Sequence, residues 1–473
     1  MHVIHLSVEC FPLAKVGGLA DVVGALPRYQ RKLGVDAWVV CPYYDKRFTA
    51  DHQFLVVYEG IFYQGSEQLA YRVLKESSDT LGFPLYLIHI PGKLDRSEVY
   101  CYPDEAEQWI AFQHAFLHWA KSWDKKPDIV NCHDHHVGLL PFLMKYADDY
   151  RMFASVKTVF TVHNGQYQGW MSWNKGILLP AFDTWKWGLL DWDGLINPLA
   201  AAIKCCDAFT TVSAGYLQEL HMEANGLEGL FRSESAKGYG IINGIDTLYW
   251  NPELDQLISE KYVAANVAEG KLINKISFCK KMGLPTDLPL LAFIGRFALE
   301  KGADLLPQII TQVLSNPENK ISIFILGSGD AGIQAGLVAL LLEYPKRFSV
   351  FFGYNEALAH EVYAAADLLL MPSRIEPCGL NQLYAMKYGT MPIVRGVGGL
   401  RDTVVDVDYD SDGYGFVFAN ADSADACTAI ERALKKMQDT RTLNEIRQKE
   451  MSLDFSWDKS ARQYVKLYDQ LLD

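Results

Sequence analysis

Short apolar runs recur along the chain, and most are followed by residues at helical spacing. Val3 to Val8 is the first run. Beyond a loop holding Gly17 and Gly18, Leu19, Val22, Val23 and Leu26 fall on one helical face. Further runs lie at Asp36 to Cys41, Leu85 to Ile90, Ile129 to Cys132, Val156 to Val162 and Ala208 to Val212. The pattern then restarts with Leu290 to Ile294, Ile321 to Leu326, Phe348 to Phe352, Leu368 to Met371 and Met391 to Val394, each closing near a glycine or proline. Strands alternating with helices predict an α/β protein with parallel sheets covered on both faces. The restart predicts two Rossmann-like units.

Regularity fails between the two series, where Trp250-Asn251-Pro252 interrupts and apolar runs are scarce. The spacing therefore predicts an N-terminal domain over 1–250, a hinge over 251–285, a C-terminal domain over 286–455 and a last helix over 456–473. That helix carries Ala461, Tyr464, Leu467 and Leu471 on one face. Ligands of open α/β sheets sit beyond the carboxyl ends of the strands, so the loops there are where chemistry is expected.

Bulk properties narrow the field. At 473 residues, two domains are the natural expectation. No apolar run is long enough to span a bilayer, and Met1-His2-Val3-Ile4-His5-Leu6 reads as a strand rather than an export signal. The cysteines number nine and show no CxxC spacing, which favours a reducing cytoplasm over a disulfide framework. A net charge of −13 argues against nucleic acid or an anionic membrane as partner. A neutral substrate, or a small anion in a local basic pocket, remains compatible.

Four loops carry candidate chemistry. Lys15-Val16-Gly17-Gly18-Leu19-Ala20-Asp21 joins the first strand to the first helix; a lysine, close-approach glycines and a helix N-terminus suit a phosphate, and a plain glycine turn is the alternative. Gly295-Arg296-Phe297-Ala298-Leu299-Glu300-Lys301 offers a guanidinium fork and a mobile ammonium to a diphosphate, or two surface cations beside Glu300. Ser373-Arg374-Ile375-Glu376-Pro377-Cys378-Gly379-Leu380 follows a buried strand; Glu376 can steady a sugar, or serve the next helix as an acid at its start. Cys378 reads as a small buried residue. Thr161-Val162-His163-Asn164 ends a strand with a histidine that can meet a ligand hydroxyl or simply be a satisfied polar group. His133-Asp134-His135-His136 has loop spacing but no cysteine or glutamate partner, so no metal is expected there. Gly327-Ser328-Gly329-Asp330 is half a dinucleotide fingerprint, and HExxH, Walker A and G-x-S-x-G signatures are absent.

In their order and spacing these motifs resemble the bacterial and plant glycogen/starch synthases, glycosyltransferase family 5. Lys15 to Val22, Pro372 to Leu380 followed by Gln382 to Thr390, Asn243-Gly244-Ile245-Asp246, Gly353-Tyr354, Gly398-Gly399-Leu400 and Asp454 to Trp457 all take part, and the likeness runs the length of the chain. The resemblance implies a GT-B fold, two Rossmann-like domains facing across a cleft, with the C-terminal helix returning to the N-terminal domain. It implies retaining transfer of glucose from ADP-glucose to the non-reducing end of glycogen or a maltodextrin, with no cofactor and no metal. UDP-glucose is the rival donor, and a non-catalytic glucan-binding protein the rival class. By position, Lys15 with Gly17 and Gly18 should meet the distal phosphate and acceptor side, and Asp21 is a further substrate-binding position. Arg296 and Lys301 should clamp the diphosphate, Glu376 should lie on the glucose, and His163 should bind its 6-hydroxyl. Asp134 and Asn243 should line the sugar pocket and Tyr354 should pack beside the adenine, with Asn164, Cys378, Gly379 and Leu380 as further substrate-binding positions. The chain departs from the family at Ala200-Ala201, where a lysine is usual, at Val397 and at Tyr384, where related enzymes carry an acid for the ribose.

Overall fold

A computed structural model describes residues 1–78 and 80–473. The chain divides into two compact units, one formed by Met1–Gly244 with Trp457–Asp473, the other by Ile245–Ser456.

The first unit holds β1 (His2–Leu6), β2 (Asp36–Pro42), β3 (Phe54–Gln64), β4 (Glu67–Glu76), β5 (Leu85–His89), β6 (Ile129–His133), β7 (Lys157–Val162), β8 (Asp191–Trp192), β9 (Leu195–Ile196), β10 (Ala208–Thr211) and β11 (Gly238–Gly240). Nine of these form one sheet in the order β11-β10-β7-β6-β1-β2-β5-β4-β3, while β8 and β9 pair with each other. All neighbours in the large sheet are parallel except β3 with β4 and β4 with β5. Burial on both faces explains the nearly unbroken apolar character of the parallel strands. Helix Gly18–Lys32 buries Leu19, Val22, Val23 and Leu26 against this sheet, as its spacing predicts. Helix Trp457–Leu472 lies beside it. Trp457, Ala461, Tyr464, Leu467 and Tyr468 share one core with Val3, Leu26, Tyr29, Ile129 and Val159. The last helix thus belongs to the first unit.

The hairpin β3–β4 is not foreseen by the apolar runs. Most of β3 is exposed, so pairing with β4 rather than burial defines it. β11 and the later β17 are three residues long, too short to show a period.

The second unit has β12 (Leu290–Phe297), β13 (Ser322–Gly329), β14 (Phe348–Phe352), β15 (Leu368–Met371), β16 (Met391–Arg395) and β17 (Phe416–Phe418), all parallel, ordered β14-β13-β12-β15-β16-β17. Residues 251–285, expected as a hinge, are instead part of this unit. Helix Val267–Met282 buries Val267, Phe278 and Cys279 in the same core as Leu358, Val362 and Tyr363. Its Lys271 ammonium, fully buried, donates to the carbonyls of Tyr363, Ala364 and Tyr388 and to Thr390 Oγ1, which satisfies carbonyls at two helix ends. Strand-free sequence here means helical packing, not a linker.

Candidate functional site

Each sheet reverses its strand order once. In the first, β1 lies between β6 and β2; in the second, β12 lies between β13 and β15. The expected site residues follow those strands: Lys15 to Asp21 after β1, Asp134 after β6, His163 and Asn164 after β7, Arg296 and Lys301 on and after β12, and Glu376 after β15. This is where an open α/β sheet receives a ligand.

In the first unit, Lys15 Nζ reaches Asp21 Oδ1 at 2.7 Å. The amides of Val16 and Gly17 donate to Glu9 Oε2 at 2.6 and 3.0 Å, and Tyr100 Oη donates to Glu9 Oε1 at 2.5 Å. Two of the glycine-loop amides are therefore held by a carboxylate that the motif alone does not reveal. A Cβ on Gly17 or Gly18 would meet nothing within 4 Å, so the protein itself does not demand glycine there; the space before the helix is open to a ligand.

Asp134 takes a left-handed backbone, φ 60°, at the end of β6. Its Oδ1 accepts from the backbone N–H of His163 at 2.7 Å and of Asn164 at 3.4 Å, tying the ends of β6 and β7 together. Burial pushes this carboxyl up to about 7, against the pull of those two amides. Strain at such a residue is commonly found beside functional loops. Asn164 Oδ1 turns to Gln166 N at 3.0 Å. Asn243 is buried, and its Oδ1 has no hydrogen-bond partner among the described residues.

His163 is buried, and desolvation lowers its pKa to about 3, so the ring is neutral. Its Nε2 stands 3.0 Å from His133 Nδ1, and His133 Nε2 stands 3.0 Å from His5 Nδ1. Both ring nitrogens of His133 are therefore taken by histidines. Among the described residues no three His, Cys, Asp or Glu side chains are grouped to hold a metal ion.

In the second unit, Lys301 Nζ lies 2.8 and 2.7 Å from the two carboxylate oxygens of Glu376, and Ser373 Oγ donates to Glu376 Oε2 at 3.0 Å. Glu376 is 6% exposed. Arg296 instead reaches Glu300 Oε1 at 2.8 Å, on the surface. The loop bearing Glu376 rests on the start of helix Gly398–Thr403. Gly399 N donates to the Glu376 carbonyl at 3.1 Å, and a Cβ on Gly399 would lie 2.0 Å from the Cys378 carbonyl oxygen. Cys378 is buried, Gly379 has φ +72°, and Leu380 precedes helix Asn381–Lys387 without a side-chain cap.

Tyr354 is exposed, with its hydroxyl on Glu356 at 2.7 Å. Tyr384 stacks on Trp250 with ring centroids 4.0 Å apart, which packs it among residues 245–285. Gly327 and Gly329 have a structural cause: a Cβ on either would strike the β12 backbone, at Gly295 O (2.0 Å) and Phe297 O (2.5 Å). Asp330 caps helix Ala331–Glu343 through Ile333 N. Sequence reasoning overlooked Glu9 beside the glycine loop and His5 on β1, and did not link His133 to His163; an acid three residues past β1, and histidines at inward strand positions, were the available signals.

Comparison with known proteins shows the family. Residues 2–233 match the starch synthase catalytic domain and residues 275–450 the group 1 glycosyl transferases. A glycogen synthase of Flavobacterium johnsoniae is 48% identical over 472 residues, covering 100% of this chain and 99% of its own. One from Geobacillus thermodenitrificans is 35% identical, with 100% and 98% covered. The catalytic domain of starch synthase IV from Arabidopsis thaliana, solved bound to ADP and acarbose, superposes with a TM-score of 0.89 at 31% identity, covering 100% of this chain and 99% of that one. The fold and these loops define a glycosyltransferase of the GT-B class. Among the described residues no helix is long and apolar enough to cross a membrane. The chain belongs to the glycogen/starch synthase family and is an enzyme of glycosyl transfer in glycogen synthesis.

Proposed function

We propose that this enzyme transfers glucose from ADP-glucose, with retention, to the non-reducing end of an α-1,4-glucan in the cytoplasm, without a metal or cofactor. The observation that carries the reading is the pairing of the partly exposed Lys301 with the buried Glu376 at the carboxyl end of the central strands of the second unit. An ammonium held between a carboxylate and open space can exchange partners. When an anionic diphosphate arrives, Lys301 gains a second acceptor and Glu376 is released toward sugar hydroxyls and developing positive charge. Arg296, exposed and paired at the surface with Glu300, has the freedom to swing onto the same diphosphate.

The first unit carries groups suited to phosphate and sugar hydroxyls. Lys15 and the first turn of helix Gly18–Lys32 suit the distal phosphate and the acceptor side. Asp134, Asn243 and His163 offer hydrogen bonds to hydroxyls, and the neutral His163 brings no competing charge. Tyr354 stands exposed for stacking on a base. No protein side chain needs to act as nucleophile: the leaving phosphate accepts the acceptor's proton, while the enzyme supplies position and charge.

Side-by-side assays with ADP-glucose and UDP-glucose on glycogen, with product anomeric configuration read by NMR, test this. Preference for ADP-glucose with α-linked product supports the reading. Turnover of UDP-glucose alone would replace the donor, and no turnover of either would leave only a glucan-binding role.

A further inference from the structure

The three histidines form a diagonal across adjacent strands. His5 in β1 lies opposite Asn131 in β6; His133, two residues on, lies opposite Thr161 in β7; and His163 lies two residues past that, just beyond the strand. Alternation puts Asn131 with His133, and Thr161 with His163, on one face of the sheet. The same face receives Gln30 from helix Gly18–Lys32 and Tyr468 from helix Trp457–Leu472.

The hydrogen bonds run in one sense. Asn131 Nδ2 faces the Cys132 carbonyl at 3.5 Å and Thr161 Oγ1 at 2.9 Å, and Thr161 Oγ1 also accepts from Thr210 Oγ1. Asn131 Oδ1 is thereby left to accept from Tyr468 Oη at 2.6 Å. Tyr468 Oη accepts from Gln30 Nε2 at 3.2 Å, which turns Gln30 Oε1 onto His5 Nε2 at 2.7 Å. A carbonyl oxygen can only accept, so His5 Nε2 carries the ring proton. A neutral imidazole has one N–H, and burial keeps all three rings neutral, with His5 lowered to about 4 and His163 to about 3. His5 Nδ1 must then accept from His133 Nε2–H, and His133 Nδ1 from His163 Nε2–H.

We propose that Gln30, acting through His5 and His133, locks His163 in its Nε2–H tautomer and so presents the Nδ1 lone pair as an acceptor for a hydroxyl of the transferred sugar. Gln30, His5 and His133 are positioning residues, and the part that concerns sugar rests on the proposed function. Without the lock, a neutral His163 is free to place its proton on Nδ1, where it would meet the hydroxyl as a donor. The hydroxyl would have to turn its own proton away, and the selection between two hydrogen-bond senses would be lost.

The full chain labelled with 15N-histidine tests this, because ring nitrogen shifts report which nitrogen is protonated. The His163 signals are identified by their loss in His163→Gln. The unaltered enzyme should show His163 as Nε2–H alone. Gln30→Met, which keeps the length of the side chain and removes the carbonyl, should yield a mixture of tautomers. It should also lower kcat/KM for ADP-glucose by about three- to tenfold, with KM for glycogen unchanged. Tyr468→Phe, which loses one hydroxyl and no packing volume, should shift the tautomers the same way and keeps the test open if Gln30→Met fails to fold. His163 protonated on Nδ1 in the unaltered enzyme, or still wholly Nε2–H in both variants, overturns the lock. Full ADP-glucose activity in His163→Gln overturns the sugar-facing role while leaving the tautomer result to stand by itself.

Discussion

Lys301 Nζ sits almost midway between the two carboxylate oxygens of Glu376, at 2.8 and 2.7 Å, with Glu376 buried and Lys301 partly exposed. Removing Lys301 leaves the buried carboxylate uncompensated. Glu376→Ala should lower kcat by about two orders of magnitude or more with a near-native circular dichroism spectrum. Lys301→Ala should weaken inhibition by ADP far more than it weakens glycogen binding. A normal kcat in the first variant would take Glu376 out of the chemistry; equal loss of both affinities in the second would point to general unfolding.

The Glu376 loop is held from below by Gly399, whose N–H meets the Glu376 carbonyl. A methyl group at that position has only 2.0 Å to the Cys378 carbonyl oxygen, so the backbone must move. Gly399→Ala should destabilise the enzyme by about 1–3 kcal/mol, seen as a lower urea midpoint, and should lower kcat because Glu376 shifts with its loop. Unchanged stability together with unchanged kcat would show that the loop is not seated on this glycine.

Asp134 supplies a pH dependence whose sign is set by burial. Its folded carboxyl is pushed up to about 7, while an unfolded aspartate titrates near 3.9. Between those values the folded chain holds a proton that the unfolded chain has released. The stabilisation is fully present below about pH 4 and drains away as pH rises through about 7. Asp134→Asn should flatten this part of the profile. Urea midpoints measured across the window decide it: parallel curves for the two proteins would dissociate Asp134 from the effect.

Asn243 keeps a buried carbonyl oxygen without a partner among the described residues. An unsatisfied acceptor is a cost to the free protein that a bound hydroxyl relieves. Asn243→Leu should therefore leave the thermal midpoint of the free enzyme no lower, while raising KM for the donor about tenfold. A large fall in midpoint with unaltered KM would make Asn243 a packing residue instead.

Much of this site was legible because strand-ending loops announce themselves. Arg296, Lys301 and Glu376 each follow a short apolar run, and the rule that ligands gather at carboxyl ends needs no coordinates. What the sequence hid depends on register. His5, His133 and His163 are far apart in the chain, and each alone reads as a satisfied polar group; only the pairing of β1, β6 and β7 lines them up. Glu9 is equally silent, since its amide partners are seven and eight residues away across a turn. The hairpin β3–β4 escaped because exposed strands lack an apolar signature. Gly327 and Gly329 misled in the other direction: they look like a nucleotide fingerprint, yet close approach of β13 to β12 accounts for them.

The last helix joins Tyr468 to Gln30 across 438 positions of sequence. During synthesis, the nascent chain must therefore wait with the sheet-side groove beside helix Gly18–Lys32 unfilled until the whole of the second unit has left the ribosome. Clipping the final turns by protease would reopen that groove and take Tyr468 away from Gln30, so the first unit would lose its footing and the histidine relay its orientation together.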